Sequence, residues 1–313
     1  MTVSRRSFLA AAAAAGAAAV AGGVAGGVGG CAGGREEPGR LRLATGPAGG
    51  PYEVLGDRFA AELRRVGFEV SVVRTTASVR NLEMLGDGSA DLGLALADSA
   101  DQAVRVHGRP VAALARMYLN YVHLVVRAGS GVLAATELAG RPISIGAVGS
   151  GTAVTAERVL GAAGLGSARL LRLGLDESVR ALRDGRVEAF FWSGGVPTPA
   201  LARLGDIRLV PLDLLVPVLR RMYGPLYEHA TVPDGVYGGA RPVATIGTAS
   251  YLVCRGDLAP DLARTVTETL FASRDRLQAP DAPGGRLDRR YAIGTGAVPL
   301  HPGAVSYYRS VYG

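Results

Sequence analysis

The sequence predicts an α/β fold of two similar halves, and three observations carry that prediction. Short apolar runs alternate with amphipathic stretches from Leu41 onward. The alternation comes as two successive series, and two similar extended segments, "YVHLVVRAGSGV" and "ASYLVCRGDL", lie between the series and near the end of the second. Strands separated by helices argue for parallel pairing with helices covering the sheet.

Taken in order, "LRLAT" predicts a strand, "YEVLGDRFAAELRRVG" a helix and "FEVSVVRT" a second strand. "SVRNLEMLGDG" predicts a helix and "ADLGLALAD" a third strand. The second series reads the same way: strand "PISIGA", helix "TAVTAERVLGAAG", strand "ARLLRLG", helix "LDESVRALRDG", strand "VEAFFWSG" and later "IRLVPL". From Asp257 onward the pattern is helical and is expected to return to the first half. "YGPLYEHATVPDG" is expected to be a loop, with its tyrosines packed in the core.

Composition narrows the chemistry. The chain has 313 residues, 48% of them hydrophobic and 6% aromatic, enough to bury a core. All 34 basic residues are arginine, so lysine-dependent sites are excluded: Walker-A ATPases, pyridoxal-phosphate enzymes and Schiff-base aldolases. Cys31 and Cys254, with His107, His123, His229 and His301, offer no short-spaced pair, so no metal or other cofactor is expected. The arginines alternate with acids along helices such as "DRFAAELRRVG" and do not cluster with aromatics, which argues for solvated faces and against nucleic acid.

The first thirty residues read as an export signal. Arg5 and Arg6 precede an Ala/Gly/Val stretch that ends at Gly29 and Gly30, just before Cys31. The twin arginines with Ser4 and Phe8 resemble a Tat signal, and Val28–Gly29–Gly30–Cys31 resembles a lipobox, in which Cys31 is lipidated and anchors the exported chain to the cell membrane. The alternative is an uncleaved anchor, but the glycines from Gly16 to Gly30 make a poor spanning helix, at roughly 1 kcal/mol each relative to alanine. Removal of residues 1–30 leaves 32 arginines against 27 acids, a net +5. Residues 31–40 read as a tether, and Cys254, in the strand-like "SYLVCR", as a buried thiol.

Three loops follow expected strands and open expected helices, where α/β folds bind ligands: "ATGPAGGPY", "TTASVRN" and "GAVGSGTAVT". Their glycines allow close backbone approach, Ser78, Ser150 and Thr152 offer hydroxyls, and helix N-termini favour an anion. Each hydroxyl alone is more ordinarily a helix cap; three such starts together point to one converging site for carboxylate or phosphate. Gly146, Gly149 and Gly151 miss the G-x-G-x-x-G spacing of dinucleotide binding, and neither "VGSGT" nor "WSGGV" makes a hydrolase elbow.

These landmarks, with "GSADLGLALAD", "LAGRPISIGAVGSGTAVTAERVL", "LRDGRVEAFFWSGGVPTPAL", "TVPDGVYGG" and "PLHPGAVSYY", resemble the TAXI family, the TRAP-associated extracytoplasmic solute receptors, from about Leu41 to Tyr308. The resemblance implies a type II periplasmic-binding-protein fold, two α/β lobes closing about a hinge of two crossing segments. Lobe I is expected over 41–125 plus 253–313 and lobe II over 126–252. It implies a receptor, not an enzyme, that captures glutamate, glutamine, another amino acid or a dicarboxylate for a TRAP-type permease; a sensor signalling to a membrane kinase and an envelope enzyme are the alternatives.

The site residues the resemblance implies are Thr45, Tyr52, Ser78, Val79, Asn81, Ser150, Gly151, Thr152, Ser193, Gly195, Val196, Pro197 and Tyr237. Ser78, Ser150 and Thr152 are expected to hold a carboxylate, and Tyr52, Trp192 and Tyr237 to wall the cleft. Leu96 stands where the family often has glutamine, and Pro51 where small polar residues are common; Asp98 could meet an amine instead. Alternation along "AFFWSGG" is expected to turn only one side of that strand to the cleft. "RALRDGR" is expected to be a solvated helix end, and His301 a turn residue without chemistry.

Overall fold

A computed structural model of the chain describes residues 39–166, 168–277 and 287–313. The expected export signal, the lipidation at Cys31 and the tether up to residue 38 lie outside them.

The first half runs β1 (Arg40–Ala44), α1 (Pro51–Arg65), β2 (Glu69–Val73), α2 (Ser78–Gly86), β3 (Leu92–Leu96) and α3 (Ala97–Arg105) into a long strand, β4 (Val111–Arg127). The second runs β5 (Pro142–Ser144), α4 (Gly151–Ala162), β6 (Arg169–Leu171), α5 (Leu175–Arg183) and β7 (Ala189–Gly194), then α6 (Pro199–Ala202), β8 (Ile207–Leu209), α7 (Val216–Tyr223) and β9 (Tyr227–Val232). A second long strand, β10 (Val243–Arg255), leads to α8 (Pro260–Ala272), α9 (Arg274–Leu277), α10 (Arg289–Ala292) and α11 (Pro302–Tyr312).

Local chemistry accounts for these elements. In α1 a proline opens the first turn, Glu53 sits at the positive end and Arg64 and Arg65 at the negative end, while Tyr52, Leu55, Phe59 and Leu63 form its buried stripe. Every residue of β3 is buried, as a central strand covered on both faces requires.

The strand order is β2-β1-β3-β10-β4-β7-β5-β6. In each half three strands pair in parallel, β2-β1-β3 and β6-β5-β7, and a long strand then closes the set in antiparallel pairing. β4 and β10 serve both halves: they pair with each other from Val111↔Arg255 to Val122↔Ile246, β3 pairs with residues 250–254 of β10, and β7 with residues 121–126 of β4.

Three local expectations change. The first crossing begins at Val111, ten residues earlier than "YVHLVV", because residues 111–116 already find partners on β10. The run "LGLALAD" ends as a strand at Leu96, and Asp98 lies in the first turn of α3. The expected loop around Tyr227 contains β9, which completes an edge along residues 243–248 of β10; Tyr227 itself is fully buried. The C-terminal helices return to the first half: α11 packs on α8, α8 on α1, and the Tyr308 hydroxyl donates to the Leu114 carbonyl at 2.9 Å.

One apolar cluster lies under α1, α8 and α11, and one lies in the second half around Phe190, Leu201 and Leu209. A third crosses between the halves, joining Leu82, Leu85 and Ala97 to Ile143, Val159 and Tyr227. Leu252, fully buried on β10, belongs to the first. Leu252→Ala is expected to cost about 2–5 kcal/mol of unfolding free energy in a urea titration, because β10 has strands on both sides and the void cannot collapse.

Candidate functional site

A cleft of about 720 Å³ opens at the carboxyl ends of the parallel strands of both halves. The first half contributes residues 47–52, 76–78, Leu96 and Asn120; the second contributes residues 146–147, 150–152, the start of α5 and the 191–203 segment. This is the crevice where open α/β sheets take ligands.

Four helices of eight residues or more begin at its wall, α1, α2, α4 and α5, and the one-turn α6 begins there as well. A helix leaves its first backbone N–H groups without intrahelical partners and carries about half a positive charge there. Two of these ends are already answered by acids. Glu53 accepts from the Gly49 amide and pairs with Arg74, and Glu177 accepts from the Gly174 amide. α2 and α4 have no acid in their first turns, and they face each other. Gly151 is required at that meeting point, since a Cβ there would strike the Ser78 side chain, and the Arg80 amide donates to the Gly149 carbonyl at 3.0 Å.

The hydroxyls divide by what their protons do. Thr152 Oγ1 accepts from the Ser193 amide at 3.2 Å and keeps a proton to donate, while Ser78 Oγ accepts from the Leu96 amide at 3.0 Å and is also hydrogen-bonded to the Tyr52 hydroxyl. Ser150 donates to the Ala147 carbonyl at 2.7 Å and caps α4 at the Ala153 amide, so its proton is spent; the expected carboxylate donor is a cap. Ser193 lines the cleft, and its Oγ is buried with no hydrogen-bond partner among the described residues.

Tyr52 and Trp192 line the cleft as expected, with Gly151, Gly195 and Pro197. The Tyr52 hydroxyl shares a 2.6 Å bond with Ser250 Oγ, which also receives the Asn120 amide. Burial pushes the Tyr52 phenol well above its ordinary range and keeps it neutral. Phe191, Trp192 and Ser193 all reach the cleft, contrary to the one-sided expectation, because it spans the end of β7, where both faces open.

Six expected site residues stand elsewhere. Thr45 and Asn81 are buried and bond to backbone: Thr45 Oγ1 donates to the Val73 carbonyl, and Asn81 Nδ2 to the Thr45 and Leu94 carbonyls, tying α2 to β1 and β3. Val79 and Val196 are half-buried and off the cleft lining. Tyr237 lies behind the wall, its hydroxyl accepting from the Thr198 amide at 2.8 Å. Asp98 is fully buried. Its carboxylate accepts from Thr155 at 2.6 Å and Tyr227 at 3.1 Å, and its carbonyl from Arg158 at 3.2 Å, so it meets no ligand amine.

The cleft also holds residues that sequence reasoning passed over. Asn120 was hidden inside an apolar strand. Asp176, Glu177, Arg180 and Arg203 line the second-half wall, though Arg180 belongs to the expected solvated helix end. Neither Arg180 nor Arg203 makes an ion pair among the described residues. A fourth strand–helix junction, "RLGLDES", was the available signal, and it lacked the glycine-rich look of the other three.

The two-lobed sheet with paired crossing strands is a type II periplasmic-binding-protein fold. The chain belongs to the NMT1-like family, whose model matches residues 43–311. Among solved structures it is similar to a protein of Bordetella bronchiseptica RB50, at 20% identity over 88% of this chain and 90% of that one, with a TM-score of 0.54. It is similar to an ancestral arginine-binding protein bound to arginine, at 15% identity over 77% and 97% of the two chains and a TM-score of 0.52. A third is the ligand-binding component of an ABC-type import system from Staphylococcus aureus with zinc bound, at 13% identity over 76% and 77%, with a TM-score of 0.51. At these identities the likeness is one of fold.

The Asp98 cluster joins α3 of the first half to α4 and β9 of the second. Asp98→Ala strips Thr155 and Tyr227 of their common acceptor and takes the carboxylate's charge from beside Arg158, whose bond to the residue-98 carbonyl remains, and is expected to cost about 3–5 kcal/mol in chemical denaturation, with Asp98→Asn costing less.

Proposed function

We propose that the protein is an exported, lipid-anchored solute-binding receptor that closes its two lobes, residues 41–125 with 253–313 and residues 126–252, on a small organic anion or amino acid. The observation that carries this reading is the meeting of two acid-free helix N-termini from opposite halves, α2 and α4, beside a Ser193 hydroxyl without a partner among the described residues. A carboxylate placed there would take N–H and O–H donors from both halves at once, so binding and closure are the same event.

The rest of the wall suits the other ends of such a ligand. Asp176 and Glu177 can meet an ammonium, and the unpaired Arg180 and Arg203 can meet a second carboxylate, which fits glutamate-like solutes and dicarboxylates. Charge-assisted bonds contribute about 1.5–3 kcal/mol each, and after the costs of association and closure a few of them support micromolar binding, about 8 kcal/mol. The sequence landmarks of the TAXI family favour a TRAP-type permease as the membrane partner, and the lipobox-like Cys31 favours anchoring.

Trp192, the only tryptophan of the chain, reports on the cleft wall. Titration with glutamate, glutamine, 2-oxoglutarate and C4 dicarboxylates is expected to give a saturable change in its fluorescence and a raised melting temperature for one of them. Ser193→Ala should weaken that solute by roughly tenfold, about 1.4 kcal/mol. Silence in both signals across the panel, from folded protein free of carried-over ligand, would remove the carboxylate-receptor reading.

A further inference from the structure

Behind the Trp192 wall lies a chain of hydrogen bonds whose direction is fixed at each joint. The Thr198 amide can only donate, and it donates to the Tyr237 hydroxyl at 2.8 Å. The bond of that hydroxyl to His123 Nε2, 3.2 Å away, is directed from the far side of the ring, where a carbonyl that only accepts holds the proton on the other nitrogen and leaves Nε2 to accept from Tyr237. The ring proton then sits on Nδ1, 3.3 Å from the Trp192 carbonyl, an acceptor by nature. On the cleft side the Trp192 indole N–H donates to Thr198 Oγ1 at 3.0 Å, and that hydroxyl donates to the Gly195 carbonyl at 2.6 Å. The chain thus begins and ends on Trp192. His123 is buried, and its ring meets that of Tyr237 edge-on with centroids 5.6 Å apart. At Gly194 a Cβ would run into the indole, so the side chain lies flat along its own strand.

We propose that His123 and Tyr237 are positioning residues for the cleft, holding the 195–198 loop and the Trp192 indole in the shape that receives the ligand. The ligand role rests on the solute-binding reading; the relay itself does not. A backbone amide, a phenol, an imidazole and an indole are satisfied in one closed set, and no member can turn without breaking its neighbour's bond.

The relay is sensitive to acid at one joint. Burial lowers the His123 pKa to about 4 against bonds to the Trp192 and Tyr121 backbone that raise it, and no charged side chain contributes. The side chains facing the ring are Tyr237 from the loop after β9, Trp192 from β7 and Tyr121 on its own strand. Above that pH Nε2 accepts and the relay holds. As pH falls through about 4 the nitrogen gains a proton, becomes a donor and leaves the Tyr237 proton without its acceptor.

The test follows Trp192 emission and acrylamide quenching from pH 7 to pH 3, with far-UV circular dichroism confirming the fold at each point. The wild-type protein is expected to show a change centred near pH 4. His123→Gln, whose amide can accept from Tyr237 and donate to the Trp192 carbonyl, is expected to match it at pH 7 and to lose that change. The two proteins share every other group of the cleft, so the difference between the two curves belongs to His123. His123→Ala and Tyr237→Phe are expected to raise acrylamide quenching roughly twofold at pH 7, as a freed wall opens locally. Unchanged quenching in Tyr237→Phe, or an acid transition that persists in His123→Gln, overturns the relay. Glutamate and 2-oxoglutarate titrated against the same proteins separate the two claims: Trp192 responses as expected with no binding by wild type leave the relay standing and remove the receptor reading.

Discussion

The antiparallel ladder between β4 and β10 is the constraint on which the rest of the molecule depends. Each strand closes one half's parallel set and then runs on into the other half, so two segments tie both halves into a single sheet path. The apolar pattern breaks toward the Val122–Ile246 end of the ladder. Asn120 stands opposite Thr248, and Ser250 collects Tyr52 and Asn120 on one hydroxyl. Thr248 Oγ1 and the Tyr118 hydroxyl are buried there without partners among the described residues, each at a cost of about 1–3 kcal/mol. A purely structural ladder would be better filled with valine and isoleucine. Polar groups set where the strands cross under the cleft make sense as its floor, and Asn120 is the one that reaches the lining.

A second tie lies away from the cleft. Asp98 leaves β3 directly behind Leu96, a lining residue, and its carboxylate is clamped by Thr155 one turn into α4, whose first residues also line the cleft. Arg158, stacked 4.4 Å over Tyr223, completes the cluster. Buried charge of this kind rarely adds net stability over an apolar core, and its attested value is in choosing one arrangement among several. Here the arrangement chosen is the register of α4 against α3, which sets how closely Gly151 approaches Ser78.

Much of this was legible in the sequence because periodicity reports directly on burial. The parallel strands and their helices follow from apolar runs and amphipathic stripes, and the cleft follows from glycine-rich strand–helix junctions. The misses share a cause: a side chain's direction depends on partners far away in the chain. Thr45, Asn81 and Tyr237 sit in the right loops, yet they point back into the scaffold, because buried carbonyls and amides there need partners. Asp98 looked like a strand-end carboxylate, and only the tertiary placement of Thr155 and Tyr227 shows it enclosed. Asn120 carried no local signal at all, being one of several polar residues scattered through a long, mostly apolar strand. Arg180 and Arg203 looked like ordinary solvated cations, and it is the fold of α5 and α6 that brings them to the wall.

Anion binding by helix ends, as we propose for this cleft, would differ mechanically from binding by side-chain cations. Two helix N-termini brought face to face each carry about half a positive charge, so with nothing between them they repel and oppose closure. The bond from the Arg80 amide to the Gly149 carbonyl offsets part of that repulsion, and the acids on α1 and α5 keep the remaining ends from adding to it. An anion between α2 and α4 reverses the sign of the interaction, since both ends are then drawn to a common centre. Arginines on flexible stems could bind the same anion without bringing the halves together. Backbone dipoles fixed to opposite halves could not, and under the proposed reading that rigidity would let a small ligand govern the relation between two halves joined by a pair of strands.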